Sequence, residues 1–379
     1  MHRSTEKILL PGQTPGTQRH LLKHRYGVKG QGPKAYIQAS LHADEIPALL
    51  MAHHLVRLLD QEVDAGRIQG EIVVVPYANP LGLSQFHNGN QSGRYDAAGG
   101  GNFNRNWPDL YALVADRLDG KLGQDDAANV RTIRQAMAEA LDKLEPGSEL
   151  AHLRVILAKE AFDADLLLDV HCDDESLLHL FVIPAQWPSF QDLARDLGIH
   201  AVLMCADSGG GSFDEAFSTP WTRLARRFPD AKIPPACHSA TVELRGFADV
   251  FDELALEDAE AILRTLKRRG FIAGDPGPLP EARYQAVELA AVDSLNTSAA
   301  GILAYQVAVG DQVTKGQTIA ELVDPAAEDP SQARRPILAN TSGFVLSRKT
   351  AKYVPAGGAV AKIVGKEPLA YRKGYLLED

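Results

Sequence analysis

His42 and Glu45 stand three positions apart in Ser40-Leu41-His42-Ala43-Asp44-Glu45, at the end of an apolar run. A second isolated histidine, His171, closes another apolar run, Leu166-Leu167-Leu168-Asp169-Val170-His171. Two imidazoles and one carboxylate make a three-ligand set for zinc, and three ligands rather than four leave a position open for water. That composition belongs to a hydrolytic metal site, not a structural one. Each part also has a plainer reading: His42 with Glu45 as a local pair at a helix start, His171 as a hydrogen-bonded core histidine. Further residues of suitable chemistry, in consistent order downstream, favour the ligand set. Cys172 is adjacent to His171 and, on a strand, points to the opposite face. His53, His54 and His87 read as structural or solvated.

These residues need a scaffold, and the chain predicts one. Residues 35–39 read as a strand leading into His42, and 45–60 as a helix with Pro47 in its first turn, where a missing N–H costs nothing. Glu71-Ile72-Val73-Val74-Val75 is a buried strand, followed by a long polar loop over 83–106 and an amphipathic helix over 125–145. Strands follow at 166–170, 178–183, 201–205 and 240–244, then a helix over 253–269. This alternation predicts an α/β fold whose central sheet carries helices on both faces, with sites at strand ends. Near Gly274-Asp275-Pro276-Gly277-Pro278 the composition changes, and helical patterns nearly vanish beyond it. The expected division is therefore a catalytic domain over 1–274 and a small all-β domain over 275–379.

The composition narrows the function. Across 379 residues, 45% are hydrophobic and 23% charged, as in ordinary globular proteins. The net charge of −10, with no basic block, argues against nucleic acid and membrane surfaces as partners. Three cysteines without CxxC spacing do not make a disulfide framework. No apolar leader segment or membrane-length run occurs, so a cytoplasmic enzyme is the expectation. Assembly into a homo-oligomer stays open.

Between the ligand segments lie Ser92-Gly93-Arg94-Tyr95 and Gly101-Asn102-Phe103-Asn104-Arg105-Asn106, and after them comes Thr241-Val242-Glu243-Leu244-Arg245. The order His-x-x-Glu, Arg, Asn-Arg, His, Glu resembles the zinc carboxypeptidase superfamily. The trailing β segment makes the chain most similar, within it, to the succinylglutamate desuccinylase/aspartoacylase family. The resemblance implies a mixed sheet, one zinc per chain held by His42, Glu45 and His171, and Arg94 polarising the scissile carbonyl. It implies Asn104 and Arg105 on a substrate carboxylate and Glu243 as general base. Where the family carries an aspartate beside a zinc-ligating imidazole, this chain has Asn102, whose oxygen can orient the ring without bringing charge. The long stretch from Glu45 to His171 is closer to the peptidases than to the compact aspartoacylases.

The final segment resembles a biotinyl/lipoyl carrier fold through Val309-Gly310-Asp311 and Lys315-Gly316-Gln317, but lacks the Met-Lys-Met or Asp-Lys-Ala setting of a modified lysine. It reads as an unmodified domain shielding the cleft. The expected activity is zinc-dependent removal of an acyl group from a small N-acyl amino acid or related amine. A zinc carboxypeptidase acting on short peptides is the alternative, and an inactive metal- or ligand-binding protein a third reading. The presence of Glu243 argues against the third.

Overall fold

The computed structural model describes residues 3–12, 14–374 and 376–377. Nine strands form one sheet: β1 (Ser4–Leu10), β2 (Arg19–Tyr26), β3 (Lys34–Ala39), β4 (Glu71–Val75), β5 (Leu166–Asp173), β6 (His179–Val182), β7 (Ala201–Met204), β8 (His238–Gly246) and β9 (Gln285–Glu288). Their spatial order is β1-β2-β4-β3-β5-β8-β6-β7-β9. The centre (β4, β3, β5, β8) is parallel, whereas β1, β2 and the β8–β6 pair are antiparallel, so the sheet is mixed. Central strands such as Glu71–Val75 are buried along their whole length, which explains their near-continuous apolar sequence.

Period-2 alternation sorts the side chains onto two faces. Ile37, Leu168, Val170 and Val242 point to one face, under α1 (Ile46–Asp64) and α5 (Asp252–Arg268). Ala48, Met51, Ala52, Leu55 and Leu59 form the buried stripe of α1 at helical spacing. Truncating Leu55 to alanine there costs about 2–5 kcal/mol. Tyr36, Val73 and Leu167 point to the other face, under α2 (Asp126–Asp142), α3 (Glu149–Ala161) and α4 (Phe213–Arg227).

The second face is covered differently beyond β8. There the C-terminal segment lies on the sheet, with Val292, Leu346 and Val364 packed against Leu203 and Val287. This segment holds two antiparallel sheets around a core that includes Leu303, Ile319, Val345 and Ile363. One of them borrows Glu175–Ser176, just after β5, which pairs with Gly343–Arg348. Strand β9 joins the large sheet, so the chain returns to it once beyond residue 274 before entering the smaller sheets. The gap between α4 and the C-terminal sheets, over the middle of the large sheet, is the cleft.

Candidate metal centre and cleft

Strand β3 ends at Ala39, and Ser40 takes φ 59°, a left-handed conformation that is uncommon outside glycine. The chain turns there and carries His42 and Glu45 over the strand ends, with Glu45 as the residue before α1. His171 arrives from β5 beside them. His42 Nδ1 lies 2.9 Å from Glu45 Oε1, and His171 Nδ1 lies 2.7 Å from Glu45 Oε2. One buried carboxylate thus faces both imidazoles. The three groups are the candidate cation-binding set among the described residues, their donor atoms lying within 4.8 Å of one another.

The opposite ring nitrogens are occupied. Asn102 Oδ1 accepts the Asn104 N–H at 2.8 Å, which orients its amide, and the same oxygen accepts from His42 Nε2 at 2.8 Å. His42 therefore donates from Nε2 and turns its Nδ1 toward Glu45. On His171, Nε2 lies 2.9 Å from Asp169 Oδ2, without hydrogen-bond alignment because two side chains on one strand project side by side. Asp169 is itself anchored: its Oδ1 accepts from Gln38 Nε2 at 2.9 Å, and Gln38 Oε1 accepts from the Tyr36 hydroxyl at 2.8 Å. Both histidines thus present Nδ1 inward, which fits a metal ion with two nitrogen ligands and one carboxylate. Asn102 brings no charge, but Asp169 does.

Electrostatics follow from this crowding. Burial pushes Glu45 up, yet His171 and His42 pull it well below the usual carboxylate range. Burial lowers His42. For His171 burial is outweighed by Asp169 and Glu45, which hold it well above the ordinary imidazole value. Cys172 donates its backbone N–H to Glu45 Oε2 at 3.1 Å, while its thiol belongs to the core on the α1 face.

Sheet register places Glu243 on β8 directly beside His171 on β5, both on the cleft face. Its Oε2 is buried with no hydrogen-bond partner, and burial, reinforced by Glu45, raises it to about 8. Arg94 reaches the centre from the long loop, its Nη1 3.3 Å from Glu45 Oε1. Gly93 makes this approach possible: a Cβ there would meet Asp44 N at 2.2 Å, and its carbonyl accepts from Ala43 N at 3.0 Å. Arg105 lines the cleft and packs over Gly210, where a Cβ would meet its Cδ at 2.7 Å. Asn104 serves the framework as well. Its Oδ1 accepts from Phe213 N at 2.7 Å and Trp107 Nε1 at 3.2 Å, leaving its Nδ2 toward His171.

The residues named from sequence therefore meet in one cavity of about 480 Å³, with Asn102 behind His42. Other groups in and around the cavity were not anticipated. His179, cross-strand from Glu243, is lowered by burial to about 4. Burial raises Asp214 to about 6 and Glu215 to about 7. The C-terminal segment adds Leu295, Arg348, Lys349 and Lys362. Only Asp169 carried a sequence signal, two positions before His171 and thus on the same face.

Residues 31–267 match the model of the succinylglutamate desuccinylase/aspartoacylase catalytic domain. No curated protein matches the chain by sequence. Among solved structures, a protein described under that family name from Shewanella amazonensis is 25% identical, with a TM-score of 0.82 over 95% of this chain and 98% of its own. One from Shewanella frigidimarina has 24% identity and a TM-score of 0.82 over 96% and 97%. The product-bound ectoine utilization protein EutE from Ruegeria pomeroyi shares the fold at 15% identity, with a TM-score of 0.67 over 96% and 95%. The chain belongs to the succinylglutamate desuccinylase/aspartoacylase family.

Proposed function

We propose that this member of the family is a zinc-dependent amidohydrolase that removes the acyl group from a small N-acyl amino acid or related amine. The observation that carries the reading is the pair of inward-facing Nδ1 atoms, each backed by an oxygen on the far side of its ring. In this reading His42, Glu45 and His171 hold one zinc. The bound ion supplies Lewis acidity and lowers the pKa of a water molecule.

The chain's own groups do the rest. Glu243, beside His171 and raised toward neutrality, accepts a proton from water and passes it to the leaving amine. Water adds to the acyl carbon, the C–N bond breaks, and a carboxylate and an amine leave. Arg94 faces the negative charge that develops on the carbonyl oxygen. Arg105 pairs through its planar fork with the substrate's carboxylate, and the Asn104 amide N–H assists it. The C-terminal β domain, which we take as an unmodified relative of the biotinyl/lipoyl carrier fold, walls one side of the cleft. That wall supports small substrates over extended peptides.

The test is amine release from a panel of N-acyl amino acids and tetrapeptides. Turnover of the acyl amino acids alone, lost with a chelator and restored by zinc, is expected. Cleavage of tetrapeptides at comparable rates would favour a carboxypeptidase instead.

A further inference from the structure

The cleft extends well past the metal centre. Along the same sheet face, register sets Thr241 beside Asp169, Phe181 beside Thr241, and Leu203 beside Phe181. Neighbouring strands stand about 4.8 Å apart, so Phe181 lies on a strand about 10 Å from that of His171, and Leu203 about 14 Å away. Leu289, Val292, Leu376 and Leu377 close this end of the cavity. All six belong to one apolar cluster, continuous with the packing of the β domain on the sheet.

Three of the cations bordering this wall arrive already paired. Lys362 meets Asp173 at 2.7 Å, Arg348 meets Glu175 at 2.7 Å and Lys349 meets Asp174 at 2.9 Å. Arg372 has no carboxylate partner among the described residues: it donates to the Leu376 carbonyl at 2.8 Å, and its Nε is buried without a hydrogen-bond partner. Asp214 and Glu215 have donors of their own, Ser212 Oγ at 2.6 Å and Ser208 N at 2.9 Å. A second carboxylate on the substrate would have to compete with the three ion pairs or rely on Arg372 alone, while facing two buried acids. An apolar group needs only to displace water from the wall.

We propose that the substrate carries, beyond the scissile amide and the carboxylate given to Arg105, an uncharged apolar group seated against Phe181 and Leu203. The substrate is thus an N-acyl amino acid with an aliphatic acyl chain or an apolar side chain, not a dicarboxylate. This rests on the deacylase reading and names its substrate class.

The zinc-loaded full-length protein is assayed for kcat/KM on N-acetylglycine, N-hexanoylglycine, N-acetylphenylalanine, N-succinylglutamate, N-acetylaspartate and N-acetyllysine. One of the two apolar substrates should exceed N-acetylglycine by roughly tenfold or more and outrun both N-succinylglutamate and N-acetylaspartate. Whichever wins tells whether the acyl chain or the side chain fills the wall. Phe181→Ala should lower the apolar-to-acetyl ratio by roughly tenfold. Preference for N-succinylglutamate, N-acetylaspartate or N-acetyllysine overturns the proposal. Calorimetric binding of hexanoate against succinate gives a readout independent of turnover and of the variant's folding. Tighter hexanoate supports the apolar seat, and if every substrate is inert it is the deacylase reading that falls and not the seat; tighter succinate overturns the proposal.

Discussion

At the inner wall of the cleft, His42 is held by an aligned, buried hydrogen bond to Asn102, and Glu243 is lodged in the sheet between His171 and His179. At the outer wall, Arg348, Lys349, Lys352 and Lys362 grip the run Asp173-Asp174-Glu175 through partly exposed ion pairs. The two walls meet within a few residues, since that acidic run begins two positions after His171. Their materials differ in consequence. A buried polar partner removed leaves its mate unsatisfied, whereas an exposed ion pair exchanges its partner for water at little cost. The inner wall should therefore be intolerant of small chemical changes and the outer wall forgiving.

The largest contrast is expected at Glu243. Glu243→Gln keeps the shape and removes the base, so metal content should stay unchanged while kcat falls by roughly 10²–10⁴. Near-normal turnover would assign the proton transfer elsewhere. A smaller effect is expected behind His42. Asn102→Ala removes the acceptor of its Nε2–H and should weaken zinc binding by roughly 10–100-fold in a competition titration. Asn102→Asp, which keeps the acceptor and adds charge, should not weaken it. Equal affinity in all three proteins would mean that the ring is oriented by packing alone.

Glu215 tests the deep end of the cavity through pH. Burial raises its folded value to about 7, above its ordinary range. The folded protein is therefore penalised as this acid ionises. The penalty is absent at low pH, grows as pH rises past the ordinary carboxylate range, and is complete above about 7. Glu215→Gln can still accept from Ser208 N and should raise Tm by roughly 2 °C at pH 8, with little change at pH 4. A gain that is larger at pH 4 would reverse the assignment. The smallest effect belongs to the outer wall. Lys349→Ala gives up the Asp174 pair and should cost no more than about 1 kcal/mol in denaturant unfolding. A loss several times larger would show that the two walls are not built differently after all.

The inner wall was also the more legible in sequence, for a physical reason. Its candidate metal ligands His42 and His171 close apolar runs, so hydrophobic pattern and residue type coincide there, and strand periodicity places Asp169 on the face of His171, whereas Glu243 was named through the family resemblance. Arg94 was less legible, because its position depends on Gly93 packing against Ala43, a contact between chain segments far apart in sequence. The helix Phe213–Arg227 was not assigned from sequence; it follows three glycines and contains Pro220, residue types that disfavour a helix. The hairpin of β1 and β2 escaped as well, because β1 is exposed along most of its length and carries no alternating pattern. The apolar wall and the grip of the C-terminal segment's cations on Asp173-Asp174-Glu175 arise from packing between distant segments, for which a single chain carries no local signal. The expected helices ended within a few residues of those observed, as frayed ends allow.

The central claim is that His42, Glu45 and His171 form one metal centre. It is tested most directly by zinc content of the purified full-length protein after reconstitution and removal of excess metal, beside the His171→Ala variant treated identically. One zinc per chain is predicted for the parent protein, with most of it lost in the variant, because two remaining ligands hold zinc poorly. Full zinc retention in a folded His171→Ala protein would contradict the account.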